Sequence, residues 1–316
     1  MSRARDIIQE IADIRRRRRF NSAIAELPLR LFALENSFEK LDKSDNELIR
    51  YFPVALVACI EGYFRVAIKD LIDVGEPFLG HAEKLASTVK IDFSLLRAVH
   101  GKNITVGELI AHGVSISRME HIDNALSGLL GVGFLQKLRT TTDRWDHEIR
   151  GKPLTPILTN PDEVFACVVR MFELRHIICH EIASAYEIDG DEVSRCFEGC
   201  ISFLRAADEL ISEAMYPGAP LSQADMNIAA GEKLAHAKEE LEEEIKKAKS
   251  KLVAEQISLF DEAQAKWEAY CDAWSEFFAE ERVSGGSMWP LIYASTANEL
   301  VVRRIEELNN WKRLEE

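Results

Sequence analysis

Glycine and proline are scarce inside the periodic segments of this sequence, which has 16 glycines and 9 prolines among 316 residues. Regular alternation of β-branched and polar residues is almost absent as well. Because glycine and proline interrupt helices, and because alternation marks a half-buried strand, these absences leave helix as the dominant structure. The sequence therefore predicts an all-α fold.

Long apolar runs are also missing, since none reaches the roughly 20 residues that a membrane-spanning helix needs. The first 20 residues are highly charged and include arginine at every position from Arg15 to Arg19, a pattern that excludes a secretory signal peptide. We therefore expect a cytoplasmic protein without a membrane partner.

Positive charge is in deficit, because the formal net charge is −14. Extended phosphate binding needs a broad basic face, so this balance argues against a protein that coats long nucleic acids. A small pocket with a few local arginines is still compatible with it. The Arg15 to Arg19 run is a candidate RNA patch, since arginine suits phosphate oxygens. Five consecutive residues, however, spread around a whole helix. Carboxylates also lie nearby in the sequence (Asp6, Glu10, Asp13 and Glu26), so we expect these arginines to be on a solvated helix face.

Cysteine spacing excludes a common class of metal site. The six cysteines show no repeated CxxC pattern of the kind that binds zinc, and most of them lie in apolar helical patterns. We therefore expect reduced, buried thiols, and we expect neither a metal nor a cofactor.

Two domains are expected from the length and from one break in composition. The segment Tyr216-Pro-Gly-Ala-Pro220 interrupts any helix, because two prolines surround a glycine. We predict a helical bundle over 1–216, a linker over 217–220 and a long helical hairpin over 221–316. In the first, the helical region from Ala4 to Glu39 should be interrupted at Pro28. In the second, residues 222–281 would form a rod of roughly 90 Å if unbroken.

The most unusual stretch is Arg175-His-Ile-Ile-Cys-His180, which places polar side chains in a helix whose apolar positions step by four and three. The seam of this helix comprises Val164, Val168, Met171, position 175, Ile178 and Ile182. Asn160, with proline next and glutamate three residues later, predicts the helix start, and Gly190 its end. An arginine in the seam should meet a carboxylate, a phosphate or a wet cleft.

Three interpretations of this motif are open from the residues alone. His176 and His180, four apart on one face, could begin a metal site, but no third ligand is obvious. Arg175 could bind a phosphodiester while His180 moves a proton, as metal-independent RNA cleavage requires. Alternatively, both histidines are core residues and Arg175 is in a structural ion pair.

A second charged residue lies in a similar seam after Pro53. Glu61 takes one of the positions that step by four and three along that helix, so we predict that Glu61 and Arg175 face each other or line one cleft. Arg65, one turn beyond, either extends this polar patch or forms an i,i+4 salt bridge.

The segments 52–65 (FPVALVACIEGYFR) and 173–181 (ELRHIICHE) resemble the HEPN superfamily, over roughly residues 20–215. The second segment contains the Arg-polar-x-x-x-His signature of that superfamily. The resemblance implies a bundle that dimerises, so that two signature helices form one composite ribonuclease site. It assigns the scissile phosphate to Arg175, acid or base catalysis to His180, the polar signature position to His176, and support of the arginine to Glu61. Arg65 is our candidate substrate-binding residue.

The implied reaction is attack by the RNA 2′-hydroxyl on the adjacent phosphorus, giving a 2′,3′-cyclic phosphate and a 5′-hydroxyl without a metal. A two-fold site also accommodates the roughly 140° between Arg175 and His180, because the two can come from different subunits. Many members are toxins or antiviral effectors. We therefore expect RNA, a second copy of the chain in a homodimer or higher oligomer, and a protein trigger or antitoxin as partners. The alternative is a non-catalytic HEPN-type dimerisation protein whose C-terminal domain captures a protein.

Residues of about 221–314 resemble the lysozyme-inhibitor LprI-like family. The pieces that carry this resemblance, in order along the chain, are Gln223-Ala-Asp-Met-Asn227, Ala263-Gln-Ala-Lys-Trp267 with Tyr270 and Asp272, Gly285-Gly-Ser287, and Arg304 with Leu308. Where exported members commonly have cysteines, this sequence has Ala229, Ser275 and Ser295, which fits a cytoplasmic chain and argues against literal lysozyme inhibition. We expect a regulatory, sensing or assembly role. Trp267, Trp274 and Trp289 form either the core of this domain or its partner surface.

Overall fold

A computed structural model of the chain describes residues 3–42, 45–86, 99–100, 104–181 and 185–313. The chain is 77% helical and no strand occurs in these ranges, so the all-α prediction is confirmed. It forms two compact units, Met1–Gly218 and Ala219–Glu316.

The first unit is a bundle of long helices with several short ones between them. Within its described ranges the helices are α1 Arg3–Arg16, α2 Ala23–Glu39, α3 Asn46–Ile49, α4 Tyr51–Val74, α5 Phe78–His81, α6 Glu83–Ala86, α7 Val106–Gly113, α8 Met119–Leu130, α9 Phe134–Leu138, α10 Arg144–Glu148, α11 Pro161–His180 and α12 Gly190–Met215.

Helix α4 lies at the centre of this unit and packs against α2, α7, α11 and α12. Its Phe64 is fully buried and meets Phe134 and Phe203 ring to ring. By length and composition alone, Asn46–Val74 is the one stretch of the described chain that could cross a membrane, and 56% of its most apolar window is buried inside the protein. A central core helix needs the same apolarity. The expectation that no stretch passes this criterion was too strict, because it left out windows that contain a few charges.

The first helical region is interrupted at a different place from the one predicted. The break lies over residues 17–22, whereas Pro28 is inside α2. Pro28 is exposed, so its ring faces away from the apolar face of α2. Asp70, on the buried side of α4, accepts a hydrogen bond from Ala23 N at 2.7 Å and so binds the first residue of α2.

The second unit consists of three helices, α13 Gln223–Lys249, α14 Ala254–Val283 and α15 Trp289–Arg313. Residues 222–281 do not form one continuous rod, because the helix is interrupted between Lys249 and Ala254. Val253 N donates to Gln256 Oε1 at 3.0 Å and begins a new helix there. Helix α15 packs along both others, so the expected long hairpin is a three-helix unit.

Candidate functional site

Helix α11 begins where the sequence predicts. Pro161 is its first residue, and Asn160 Nδ2 donates to Glu163 Oε2 at 2.9 Å across the first turn. Val168 and Met171 of the predicted seam are fully buried. Val164 and Ile178 are half-buried, and Ile182 lies outside the described residues. The buried side of α11 packs against α4 and α12, so its last turns extend along the surface of this core.

The end of α11 was predicted wrongly. The helix stops at His180, well before Gly190, which is the first residue of α12 and has no left-handed conformation. Asp189 caps the start of α12, where its carboxylate accepts a hydrogen bond from Asp191 N at 2.9 Å. Upstream, Arg50 Nη2 donates to the carbonyl oxygen of Tyr186 at 2.6 Å. This long-range contact takes a carbonyl that a continued helix would have used for itself.

Arg175 and Glu61 face each other across α11 and α4, as predicted. Arg175 Nη2 lies 3.8 Å from Glu61 Oε1, and the side chains are 32% and 25% exposed. The separation exceeds hydrogen-bond distance, so Glu61 holds the guanidinium by charge alone, and the N–H donors of Arg175 make no hydrogen bond within the described ranges. The prediction that Glu61 and Arg175 face each other is confirmed, whereas their catalytic roles stay a prediction.

Arg170, five residues earlier on the same helix, provides an internal comparison. Its guanidinium donates to both carboxylate oxygens of Glu192 at 2.8 and 3.2 Å, to Tyr186 Oη at 2.7 Å and to Glu173 at 3.1 Å. The hydrogen bonds to Glu192 are the main reason that the pKa of Arg170 is raised. Arg170 is therefore saturated with protein acceptors, whereas Arg175 is not.

Both histidines of the motif are on the surface, so the expectation of polar residues in a buried helix holds only for Arg175. His176 and His180 are exposed, with ring centroids 5.1 Å apart, and Cys179 between them is the one exposed cysteine of the six. They end an exposed stripe of α11 that steps by three and four through Ala166, Val169, Glu173, His176 and His180. Arg175 lies beside this stripe, at the edge of the buried face.

The structure also bears on the metal interpretation of the motif and on Arg65. In the described ranges no three His, Cys, Asp or Glu side chains are placed to hold a metal ion, so the His176–His180 pair has no third ligand there. Arg65 forms no salt bridge with Glu61, and its Nε is buried without a hydrogen-bond partner in the described part of the chain. The substrate role of Arg65 stays a prediction.

One partly buried pair was missed by sequence reasoning. Tyr63 Oη donates to Asp208 Oδ1 at 3.0 Å, and burial raises the pKa of Asp208 to about 6, with Glu209 adding to the rise. Asp208 and Glu209 line a cavity of about 660 Å³ between α2, α12 and the connection that precedes α11. No pattern in the sequence signals this pair, because Tyr63 and Asp208 lie 145 residues apart.

The second unit presents stacked aromatic side chains on the outer face of α14. Tyr270, Trp274 and Phe277 are 52%, 42% and 56% exposed, and their rings follow one another at 6.3 and 5.6 Å. Trp267 is half-buried against the core of this unit, and Trp289 is half-buried and stacked on Tyr293 at 5.2 Å. The three tryptophans therefore divide, with Trp274 at the surface and the others packed.

The sequence pieces of the LprI resemblance contact one another in this unit. Asn227 Nδ2 donates to the carbonyl oxygen of Ser287 at 3.0 Å, which joins the first and third pieces. Arg304 Nε donates to the buried Gln264 Oε1 at 3.2 Å, and its guanidinium lies 5.8 Å from the Trp267 ring centroid. These contacts hold α15 against the start of α13 and the middle of α14.

The fold and these sites define a two-unit, all-α protein with a charged pair beside exposed histidines in one unit and an aromatic face on the other. Residues 218–308 match the family model described as lysozyme inhibitor LprI, so the resemblance of the C-terminal part is confirmed. No HEPN family model matches, so the HEPN resemblance rests on the residues alone and stays a prediction. No curated protein and no solved structure is significantly similar to the chain.

Proposed function

We propose that the first unit is a metal-independent endoribonuclease that acts as a homodimer. Arg175 would bind the scissile phosphate, His180 would be the general acid or base, His176 would line the same site, and Glu61 would orient the arginine. The 2′-hydroxyl would attack the adjacent phosphorus, so that the 5′-oxygen leaves and takes a proton. The products would be a 2′,3′-cyclic phosphate and a 5′-hydroxyl.

The observation that supports this proposal most is the incomplete pairing of Arg175. A half-buried guanidinium held 3.8 Å from Glu61, without a hydrogen bond, keeps its planar fork for another oxyanion. The exposed imidazole of His180, five residues on, supplies a nitrogen that can donate or accept a proton. A structural ion pair would resemble that of Arg170 instead.

The dimer is proposed because Arg175 and His180 point roughly 140° apart on one helix. A single α11 cannot easily direct both side chains at one phosphate, whereas two antiparallel copies related by a two-fold axis can. The exposed stripe that runs from Ala166 to His180 is a surface on which two α11 helices could meet.

The second unit is proposed to bind a protein that controls assembly or activation, such as a trigger or an antitoxin. The match to a family named for lysozyme inhibition supports protein binding as its general property. We place the protein in the cytoplasm, since all six cysteines are free thiols and the positions Ala229, Ser275 and Ser295 cannot form bridges. A toxin or antiviral role follows from the HEPN resemblance and is part of the same proposal.

The test is cleavage of varied RNAs by the purified full-length protein in excess chelator, beside Arg175→Ala and His180→Ala. Loss of one transition-state contact or of a general acid should lower the rate at least about 100-fold in each variant. Arg205→Ala, which removes an exposed arginine from α12, is the matched control and should cleave as the wild type does. Equal cleavage by all proteins, or none by any of them, would count against the enzyme.

The second candidate function is a non-catalytic binding protein, and the exposed aromatic face of α14 favours it. Tyr270, Trp274 and Phe277 would then anchor a protein ligand, since aromatic side chains dominate binding energy in interfaces. Under this alternative the first unit only dimerises. The non-catalytic alternative predicts partner binding that is lost in Trp274→Ala and unchanged in His180→Ala, with no RNA cleavage.

A further inference from the structure

Two half-buried arginines of the first unit have no acceptor for their side chains among the residues that the structure describes. Arg18 lies in the connection between α1 and α2, Arg65 lies on α4, and both are half-buried. Within the described ranges neither guanidinium makes a hydrogen bond or an ion pair, and Arg65 Nε is fully covered without a partner. Half-buried charges without acceptors are costly, because they lose water without gaining hydrogen bonds.

The two guanidinium groups are close enough to repel each other. Burial lowers the pKa of Arg18, and the charge of Arg65 lowers it further. Asp70, Glu26 and Glu108 act in the opposite direction and raise it. The net result is a lowered pKa, so these carboxylates do not compensate the loss of water around Arg18.

Each neighbouring carboxylate is already used by another donor. Asp70 accepts from Lys69 Nζ at 2.8 Å and from Ala23 N at 2.7 Å. Glu108 accepts from both Nε and Nη2 of Arg15, and Glu26 accepts from the backbone N of Phe20. The arginines of this region therefore divide in two. Arg15 is paired, whereas Arg18 and Arg65 are left for an anion from outside the chain.

Space for such an anion lies next to Arg18. This residue borders two cavities, one of about 30 Å³ that it shares with Arg65 and one of about 250 Å³ between α2 and α4. Arg30 and Glu26 also line the larger cavity, whose remaining wall is mostly apolar (Ala23, Leu27, Ala58, Cys59, Gly62, Tyr63 and Val66). The smaller cavity has room for an oxygen atom of a phosphate group beside the two arginines, and the larger has room for the body attached to it.

We propose that Arg18 and Arg65 form a phosphate-binding site, with a nucleotide unit of RNA as its ligand. Planar guanidinium groups bind phosphate oxygens through paired N–H donors, so one phosphate would satisfy both residues. Helix geometry separates Arg65 from Glu61 by about 6 Å along α4. A strand whose scissile phosphate contacts Arg175 would therefore continue toward this second site. The choice of RNA as the source of phosphate rests on the proposed function.

The test measures binding of a fluorescent 2′-O-methyl RNA oligonucleotide, which lacks the attacking hydroxyl, to the full-length protein. Arg18→Gln and Arg65→Gln should each weaken binding about tenfold, the value of one charge-assisted hydrogen-bonded contact. Arg17→Gln is the matched control, since Arg17 adjoins Arg18 in sequence but is exposed. It should change the affinity less than about twofold, because an exposed charge contributes little to a local site. A probe with uncharged methylphosphonate linkages should bind the wild type at least about tenfold more weakly.

Stability separates a ligand site from a structural role. Without ligand, Arg18→Gln should melt at the wild-type temperature or above it, because it removes an uncompensated charge. A lower melting temperature together with unchanged RNA affinity would overturn the proposal. Equal affinities of Arg18→Gln and Arg17→Gln, or undiminished binding of the uncharged probe, would overturn it as well.

The outcome can be separated from that of the proposed function. If the wild type binds the oligonucleotide through Arg18 but never cleaves unmodified RNA, the phosphate site stands and the enzyme fails. If the wild type cleaves RNA while Arg18→Gln binds and cleaves equally well, the phosphate site fails alone. Binding of adenosine monophosphate is measured as well, to test whether the ligand is a free nucleotide. Arg18-dependent binding of it without any binding of the oligonucleotide would support the phosphate chemistry and overturn RNA as its source.

Discussion

Two ion pairs of α11, Glu61–Arg175 and Glu192–Arg170, should differ in coupling energy although their exposure is nearly the same. The perturbation is a double-mutant cycle on Glu61 and Arg175, with Glu192 and Arg170 as the reference cycle, all changed to glutamine. Side-chain exposures are 25% and 32% in the first pair and 25% and 30% in the second. Solvent screening is therefore matched, and the two pairs differ in their hydrogen bonds.

The magnitudes follow from the distances. The Glu61–Arg175 pair, at 3.8 Å without a hydrogen bond, should couple by no more than about 1 kcal/mol, as partly exposed pairs do. The bidentate Glu192–Arg170 pair has two charge-assisted hydrogen bonds at 2.8 and 3.2 Å and should couple by about 2 to 3 kcal/mol. Urea unfolding of the wild type, the single variants and the double variants yields both coupling energies.

The result that would refute this reasoning is a Glu61–Arg175 coupling as large as that of Glu192–Arg170. Arg175 would then be a structural residue, and it would no longer be an arginine kept for phosphate. The expected result has a functional counterpart. Glu61→Gln should leave stability within about 1 kcal/mol of the wild type and still slow RNA cleavage, because the arginine loses its orientation.

Three further predictions concern the rest of the molecule. Asp208→Asn should stabilise the protein at pH 7 by up to about 3 kcal/mol, since the pKa of Asp208 rises from 3.8 to about 6 on folding. The folded wild type keeps the proton longer than the unfolded chain. The free energy of unfolding of the wild type should therefore fall relative to that of Asp208→Asn as pH rises from about 4 to 6. A difference between the two proteins that does not change with pH would contradict the burial of Asp208. Light scattering should give twice the chain mass of 35.8 kDa, and a monomer at all concentrations would remove the composite site. Trp274→Ala should change the unfolding free energy by less than about 1 kcal/mol because the ring is 42% exposed, and a larger loss would assign Trp274 to the core.

The sequence predicts the facing of Glu61 and Arg175 because each charge takes a position in an apolar seam that steps by four and three. Helical geometry turns such a pattern into a side of the helix, and helices in a bundle pack through those sides. The start of α11 is predictable for a similar reason, since Asn160 and Pro161 act locally.

Other features depend on partners far away in the chain and leave no local pattern. Helix α11 ends at His180, where the connection is held by Arg50, 136 residues before Tyr186. The break between α13 and α14 contains no glycine or proline, and Val253 is capped only by Gln256. Arg18 is indistinguishable from its four neighbouring arginines until the turn after α1 directs it inward.

The central claim is that Arg175 and His180 cleave RNA together from two different subunits, and subunit mixing tests it most directly. Arg175→Ala and His180→Ala should each be inactive, but in a mixed dimer one subunit supplies an intact arginine and the other an intact histidine. When the two variants are unfolded and refolded together in equal amounts, half of the dimers contain one subunit of each. Each mixed dimer has one intact Arg175–His180 pair, whereas a wild-type dimer has two. A composite site predicts recovery of about a quarter of wild-type cleavage in chelator. A mixture as inactive as its components, beside an active wild type, would contradict it.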